Sequence, residues 1–230
     1  FGPYDPALEV NSELIKKELN NNGFAVCHNF LQGQALIELK ARCDSLLDNT
    51  LDSDYKFGKA LRIRSLEENR MANPAISAAF DCEALEEIKS KAFPDGCGFT
   101  EIFVTHEFTD KEGLERNGYL HFDRIWTFKY FYYLTDVKEL SDGPLRVVPK
   151  SNQWGAAMRI NQAGKPYELQ KNRIQIDYPD IYNSFDIEEK TTPIFGDAGT
   201  LIIFDTDTFH MGGNVSNDRE RKVCRLHMRK

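Results

Sequence analysis

The sequence predicts a mainly β protein with flanking α-helices, built around a jelly-roll core. Helical patterns dominate residues 11–92, and short apolar strands separated by turns dominate residues 97–228. The chain also contains 16 Phe and 9 Tyr, residue types that pack well on pleated sheets. Helices followed by strands, rather than alternating with them, indicate an antiparallel sheet system covered by helices on one face.

The N-terminal elements follow from capping residues and apolar periodicity. Asn11 or Ser12 provides a helix N-cap, and Gly23 provides a helix stop. In order, we predict a helix at about 11–21, a short apolar strand at 23–27, an amphipathic helix at about 34–47, an irregular polar loop at 48–70 and further helix at about 74–92.

The second half of the chain is predicted to be strands with one long interruption. Predicted strands cover residues 98–108, 127–134, 146–148, 200–204 and about 221–228. Residues 152–190 are polar and predict an insertion between strands. We expect a single domain over residues 1–230, with N-terminal helices at about 11–92, a jelly-roll core at about 97–228 and the insertion at about 152–190.

Composition excludes several classes of protein. The chain has 29 Lys+Arg against 36 Asp+Glu, a net charge of −7, so it lacks the basic footprint of a nucleic-acid binder. It shows no apolar run long enough to span a membrane. Its five cysteines are odd in number, and none forms a Cys-x-x-Cys pattern. We therefore expect reduced thiols and a cytoplasmic protein.

A candidate metal site lies in the stretch Tyr119-Leu-His-Phe-Asp-Arg124. Alternate residues of an extended strand point to the same side, so His121 and Asp123 project together. They would supply two ligands of a two-His, one-carboxylate site, which is typical of non-heme Fe(II). His210 follows an apolar strand and is the candidate third ligand, although a turn histidine is the plainer interpretation of that residue alone.

Arg221 lies eleven residues after His210, where the last strand begins. Its guanidinium can bind a carboxylate through two parallel hydrogen bonds. A dicarboxylate cosubstrate that chelates iron at one end would need such a partner at its other end. Taken alone, Arg221 is more plainly interpreted as a surface charge in the charged run at 218–222.

The order of these motifs resembles the phytanoyl-CoA dioxygenase family over roughly residues 12–228. The resemblance rests on His121-x-Asp123, the stretches 128–137, 142–151 and 196–205, and then His210 and Arg221. It implies a double-stranded β-helix fold and an enzyme that uses Fe(II), 2-oxoglutarate and O₂. It also implies that His121, Asp123 and His210 bind the metal, and that Arg221 binds the distal carboxylate of 2-oxoglutarate.

The chain departs from the family pattern at two places. Gly212 stands where the family often has a small hydroxyl residue that contacts 2-oxoglutarate, and the usual Pro-Gly-Ser-His is Pro149-Lys-Ser-Asn152. The sequence therefore does not identify the residues that make secondary contacts to 2-oxoglutarate. The candidates are Thr105, Lys129, Tyr130 and Tyr132, with core packing as the plainer role for each tyrosine.

The resemblance implies hydroxylation of a small molecule, with release of succinate and CO₂. Related halogenases carry a small residue at the position of Asp123, so the carboxylate favours hydroxylation or another oxidation over halogenation. The predicted pocket-mouth loops are residues 48–70, 108–118 and 152–190. Their candidate contacts to an anionic substrate are Arg62, Arg64, Arg159, Lys165 and Arg173. Arg225 is a further candidate, because it shares strand parity with Arg221 and is expected to face inward. A solvated or ion-paired surface charge is the plainer interpretation of each of them. Two alternatives remain: a cupin-like metal enzyme without redox chemistry, such as an isomerase, and a non-catalytic jelly-roll binding module.

Overall fold

A computed structural model of the chain describes residues 12–50, 58–108, 119–184, 190–216 and 218–230. Of the predicted pocket-mouth loop at 108–118, residues 109–118 lie outside this part of the chain. The described helices are α1 (Ser12–Asn22), α2 (Gly33–Asp48), α3 (Leu66–Asn69), α4 (Pro74–Phe80), α5 (Glu83–Ala92), α6 (Asn152–Gln162), α7 (Ile174–Asp177) and α8 (Pro179–Asn183), with a 3₁₀ turn at Tyr167–Leu169.

The described strands form two antiparallel sheets. They are β1 (Phe24–Cys27), β2 (Gly58–Arg64), β3 (Phe99–Phe108), β4 (Phe128–Tyr133), β5 (Leu145–Val147), β6 (Thr192–Ile194), β7 (Leu201–Asp205), β8 (His210–Gly212) and β9 (Glu220–Arg229). The large sheet has the order β1-β7-β4-β9-β3-β2, and the small sheet has the order β6-β5-β8. This arrangement confirms the predicted jelly roll with flanking helices.

Two apolar layers hold the sheets and helices together. On the outer face of the large sheet, Tyr130 and Tyr132 pack with residues of α1, α2, α4 and α5, including Leu39, Phe80 and Leu85. Between the two sheets, the core contains Phe131, Tyr133, Leu145, Val147, Ile194, Ile202, Phe204 and Val223. Each strand of the large sheet therefore sends alternate residues into different layers, and the inner layer surrounds the candidate site.

Two sequence predictions about loops were wrong. The segment 48–70 contains strand β2 and helix α3. Strand β2 alternates Leu61 and Ile63 with Arg62 and Arg64 and pairs with β3 at the edge of the sheet, where charged residues are common because they discourage further pairing. The insertion at 152–190 follows β5 and precedes β6 as predicted, but it contains α6, α7 and α8.

The insertion is fastened to the jelly roll near the candidate site. Arg159 of α6 donates two hydrogen bonds to Asp207, from Nε at 2.6 Å and from Nη2 at 2.8 Å. The Asp207 side chain is buried, and it lies three residues before His210. Arg159, which sits in a predicted pocket-mouth loop, is therefore a structural residue. Within the described part of the chain, no helix is long and apolar enough to cross a membrane.

Candidate metal centre and active site

His121 and Asp123 lie in an extended segment just before β4 rather than in a regular strand. Leu120 and Phe122 are fully buried in an apolar cluster, so His121 and Asp123 point to the opposite side of the segment. Backbone bridges join His121 to His210: each residue donates its N–H to the carbonyl of the other, at 3.0 and 2.8 Å. The sheet pairing therefore brings the three predicted ligands together across 86 intervening residues (124 to 209).

The three side chains converge on one point. The distance from Asp123 Oδ1 to Nε2 is 3.7 Å for His121 and 3.6 Å for His210. One ligand atom from each residue lies within 4.8 Å of the others. This donor set of two imidazole nitrogens and one carboxylate oxygen suits a transition metal such as Fe(II).

Hydrogen bonds fix the tautomer of both imidazoles. His121 Nδ1 lies 2.8 Å from the carbonyl of Tyr119, and His210 Nδ1 lies 2.7 Å from the carbonyl of Thr208. A carbonyl oxygen can only accept, so each Nδ1 carries the proton. The unprotonated Nε2 of each neutral ring then points toward Asp123, as a metal ligand requires.

The electrostatic environment supports the same protonation states. Burial lowers the pKa of His121, and it lowers the pKa of His210 to about 3 with help from the neighbouring imidazole. Burial alone would raise the pKa of Asp123, but the Lys129 ammonium holds it well below its usual range. At neutral pH the site therefore consists of two neutral imidazoles and one carboxylate.

Lys129, a predicted cosubstrate contact, lies beside the predicted metal ligands. It occupies the inner face of β4, and its Nζ is 2.7 Å from Asp123 Oδ2. The other carboxylate oxygen of Asp123 faces the two imidazoles. Lys129 thus holds the carboxylate so that one oxygen is directed at the metal position.

Arg221 lies on the inner face of β9, as its predicted role requires, but the structure gives it a partner that the sequence did not indicate. Its Nη2 forms an ion pair with Glu107, directly opposite on β3, and each side chain is about 4% exposed. Thr105 shares this face of β3 and is fully buried, and its Oγ1 has no hydrogen-bond partner in the described part of the chain. A buried hydroxyl without a partner fits a ligand such as the distal carboxylate of 2-oxoglutarate.

The prediction that Tyr132 contacts the cosubstrate was wrong. Tyr132 faces the helices, and its hydroxyl donates to the carbonyl of Ala79 at 2.7 Å. Tyr130 is on the same side and donates to the carbonyl of Leu85 at 2.6 Å. The tyrosine on the inner face is Tyr133, which was not among the candidates. Its hydroxyl accepts a hydrogen bond from the N–H of Leu145 and donates one to the carbonyl of Ile194.

Three of the arginines that were candidates for substrate contact lie on the inner face of the sheet, away from the cavity at the metal position. Arg225 stacks over Phe103 and Phe131, with its guanidinium carbon 4.4 and 5.6 Å from the ring centres. Arg62 stacks over Phe103 at 5.0 Å from the neighbouring strand. Arg64 is exposed and lies opposite Glu101. These three arginines do not line the cavity at the metal position, and their contact with substrate stays a prediction.

A cavity of about 490 Å³ opens onto His121 and Asp123. Lys129, His227, Arg229, Tyr119, Arg124, Tyr167 and Arg173 are among the residues that line it. Arg229 could have been found from the sequence because it shares the alternation of Arg221 and Arg225 along β9. Arg124 follows the metal-binding triplet directly, but a residue beside a ligand carries no sequence signal of its orientation.

An antiparallel jelly roll that brings two histidines and one aspartate together beside a cavity has the architecture of a non-heme metal enzyme with open coordination positions. The sequence match agrees with this class. The chain belongs to the phytanoyl-CoA dioxygenase (PhyH) family, which it matches over residues 19–223. No curated protein sequence matches the chain.

Solved structures share the fold at low sequence identity. HygX from Streptomyces hygroscopicus, solved with nickel and 2-oxoglutarate bound, is 13% identical with a TM-score of 0.57, covering 96% of this chain and 87% of HygX. The epimerase SnoN, solved with Fe³⁺, alpha ketoglutarate and nogalamycin RO, is 15% identical with a TM-score of 0.59, covering 98% and 85%. EctD from S. alaskensis with bound Fe is 13% identical with a TM-score of 0.61, covering 100% and 79%.

Proposed function

We propose that this protein is an Fe(II)- and 2-oxoglutarate-dependent dioxygenase that hydroxylates a small molecule. The observation that carries the proposal is the arrangement of His121, Asp123 and His210, with both imidazoles held in the tautomer that directs Nε2 at the carboxylate. Membership of the PhyH family and the ligands of HygX, SnoN and EctD support the same cofactors. The bound metal, 2-oxoglutarate and O₂ would supply the oxidising power, with release of succinate and CO₂.

The side chains of this protein would bind and orient these components. His121, Asp123 and His210 would hold the metal, and Lys129 would keep Asp123 in a one-oxygen binding mode. Arg221 and the hydroxyl of Thr105 would bind the distal carboxylate of 2-oxoglutarate. A guanidinium carries five N–H donors, so Arg221 can serve that carboxylate and Glu107 together.

Hydroxylation is the outcome that we propose, since a carboxylate at position 123 fills the place that a halide would need. SnoN, an epimerase of similar fold, illustrates that other outcomes are available to this architecture. The alternative is a metal enzyme without redox chemistry, which would use the same three ligands but not Arg221. We further propose that residues 1–230 act as one catalytic domain and that the enzyme works in the cytoplasm, where its five free cysteines would stay reduced.

The proposal is tested by anaerobic titration of the Fe(II)-loaded protein with 2-oxoglutarate. We expect a visible metal-to-ligand charge-transfer band in the wild type, and its loss or strong weakening in Arg221→Ala. Arg42→Ala is the control, because Arg42 lies on α2 and contacts Asn73 and the carbonyl of Ala72. Bound iron without a band would favour the non-redox alternative, and failure to bind iron would favour a binding module. Substrates would then be screened by succinate release.

A further inference from the structure

The cavity beside the metal ligands has a strong excess of positive charge. Four of its described lining residues are basic: Arg124, Lys129, Arg173 and Arg229. Asp123 is the one carboxylate among the described lining residues, and it already faces Lys129 and the two imidazoles. Asp123 therefore does not neutralise the arginines of the cavity wall.

Arg124 is held in place by neutral groups. Its Nε donates to Asn172 Oδ1 at 3.1 Å, and its guanidinium lies 5.1 Å from the ring centre of Tyr167. Asn172 is itself fixed, because its Nδ2 donates to the carbonyl of Phe122 at 2.7 Å. A guanidinium bonded through Nε and stacked on a ring presents its Nη groups at the edge, the geometry that suits bidentate binding of a carboxylate or phosphate.

Arg229 lines the same cavity and is held in the same manner. Its Nε donates to Thr127 Oγ1 at 3.0 Å, and its guanidinium lies 5.7 Å from the ring centre of Phe99. Arg173 has an acidic neighbour, but the closest approach of its Nε to Asp177 is 3.9 Å. That Asp177 oxygen already accepts the backbone N–H groups of Asn172 and Arg173. Neutral partners thus orient Arg124 and Arg229 without neutralising them.

The position of Arg221 separates these arginines from the cosubstrate site. Arg221 lies opposite Glu107, and Arg229 lies opposite Phe99, at the other end of the β3–β9 pair. Seven residues of extended strand separate the two arginines, and the eight residue steps span roughly 26 Å at the usual rise. One small dicarboxylate cannot reach both of them.

We propose that the substrate carries a carboxylate or phosphate group, which Arg124 and Arg229 bind at the wall of the cavity. The inference rests on the proposed function, because it takes this cavity as the place where the substrate meets the metal. A volume of about 490 Å³ lies within the usual range for small-molecule sites. The anionic end of the substrate would anchor to the arginines, and the remaining part would extend toward His121 and Asp123.

The test uses phenyl phosphate and phenylacetate as anionic probes, with phenylacetamide as the neutral match. Binding is measured by anaerobic calorimetry on the Fe(II)-loaded protein with saturating 2-oxoglutarate, at constant ionic strength because surface electrostatics are screened by salt. We expect at least one anion to bind and the amide to bind at least about tenfold more weakly. Arg124→Gln and Arg229→Gln should each weaken anion binding about tenfold or more, the loss of one charge-assisted contact.

Arg42→Gln is the matched control, because Arg42 also donates Nε to an asparagine Oδ1, at 3.0 Å from Asn73, outside the cavity. It should bind the anions as the wild type does. The proposal is overturned if neither anion binds, if the amide binds equally well, if both cavity variants retain wild-type affinity, or if 2-oxoglutarate displaces the anions competitively. The charge-transfer band, recorded on the same samples, reports the proposed function separately. If the wild type lacks the band, anion binding by the metal-free protein and its arginine variants still decides the substrate-site proposal.

Discussion

Lys129 Nζ lies 2.7 Å from Asp123 Oδ2, while Oδ1 of the same carboxylate faces the imidazoles of His121 and His210. The lysine side chain is 10% exposed and the aspartate side chain 23%. One carboxylate oxygen of Asp123 thus contacts the Lys129 ammonium, and the other faces the metal position. Since both residues are largely buried, the metal-free protein depends on this pair to compensate the charge of Asp123.

Lys129→Met should destabilise the metal-free protein by about 2 kcal/mol, because the substitution leaves a largely buried carboxylate without its cation. Urea unfolding monitored by circular dichroism would measure the loss. In a double-mutant cycle, Asp123→Asn should recover part of it, with a coupling energy of about 1–2 kcal/mol.

Lys222→Met is the matched control for this prediction. Lys222 also lies on a strand of the large sheet and pairs with an aspartate, Asp44, at 2.8 Å, but the aspartate side chain is 43% exposed. Breaking so exposed a pair should cost at most about 1 kcal/mol. Equal losses in the two methionine variants would show that Lys129 does not compensate a buried charge.

The ion pair of Arg221 and Glu107 leads to a prediction about cosubstrate affinity. Glu107 is a second anion on the guanidinium proposed to bind 2-oxoglutarate, so Glu107→Gln should tighten 2-oxoglutarate binding about tenfold, or about 1.4 kcal/mol. The neutral amide still accepts a hydrogen bond from Arg221. The dissociation constant would come from the anaerobic charge-transfer titration.

Glu101→Gln serves as the control for Glu107→Gln. Glu101 is buried on the same face of β3 but lies opposite His227 rather than Arg221, so its substitution should leave the affinity for 2-oxoglutarate unchanged. Weaker binding in Glu107→Gln would reverse the interpretation: Glu107 would then hold Arg221 in position rather than compete for it.

Alternation along strands explains which strand faces could be predicted from the sequence and which could not. Along β9, the spacing of Arg221 and Arg225 predicted a shared inward face, and the structure places both there. Along β4 every residue from Phe128 to Tyr133 is buried, because one face packs on helices and the other on the second sheet. No apolar–polar alternation then shows which face is the inner one, so the sequence did not decide whether Lys129 and Tyr133, or Tyr130 and Tyr132, face the site.

Long-range pairing explains what else was missed. The convergence of His121, Asp123 and His210 could be predicted because residue type and order carried the signal. Glu107 becomes the partner of Arg221 only through the register of β3 and β9, which spans more than 100 residues of chain. The helices of the insertion were missed because their pattern is polar, and Arg159 proved structural because its partner Asp207 comes from the loop before His210.

Asp205 predicts a pH dependence of stability. Burial raises its pKa to about 6, against hydrogen bonds from the backbone of Asp207 and from Trp126 that lower it. The folded protein therefore binds this proton more tightly than the unfolded chain, whose aspartates titrate near pH 4. Between about pH 4 and pH 6 the free energy of unfolding should fall as the pH rises. Above about pH 6 the contribution of Asp205 to this free energy should stay at its lower value.

Asp205→Asn should remove this decline. The amide oxygen can still accept from Trp126 Nε1 and from the N–H of Asp207, which lie 2.8 and 2.9 Å from Oδ1. We expect the variant to be about 1–2 kcal/mol more stable than the wild type at pH 8, and to lose most of that advantage at pH 4. Urea unfolding at both pH values would measure the difference. Asp95→Asn, at an exposed turn, is the control that measures how replacing a carboxylate by an amide affects stability by itself. If the stability advantage of Asp205→Asn did not change with pH, the raised pKa of Asp205 would be contradicted.

Tyr133 and Tyr132 are adjacent buried tyrosines whose substitutions should destabilise the protein to different extents. The hydroxyl of Tyr133 accepts from the N–H of Leu145 at 3.0 Å and donates to the carbonyl of Ile194 at 2.9 Å, so it links β4 to both β5 and β6. Tyr133→Phe leaves a buried donor and a buried acceptor unsatisfied and should cost about 2–3 kcal/mol. Tyr132→Phe removes one bond, to the carbonyl of Ala79, and should cost about 1 kcal/mol.

The same two variants test which face of β4 meets the cosubstrate. Tyr133 lies opposite Val223 on β9, two residues from Arg221, and the positive charge of Arg221 acts on its hydroxyl. Its loss should loosen the sheet contact behind Arg221 and weaken 2-oxoglutarate binding several-fold. Tyr132→Phe should leave that affinity unchanged, since its hydroxyl points into the helix layer. If Tyr132→Phe instead weakened 2-oxoglutarate binding while Tyr133→Phe did not, the assignment of the inner face of β4 to the cosubstrate would be refuted.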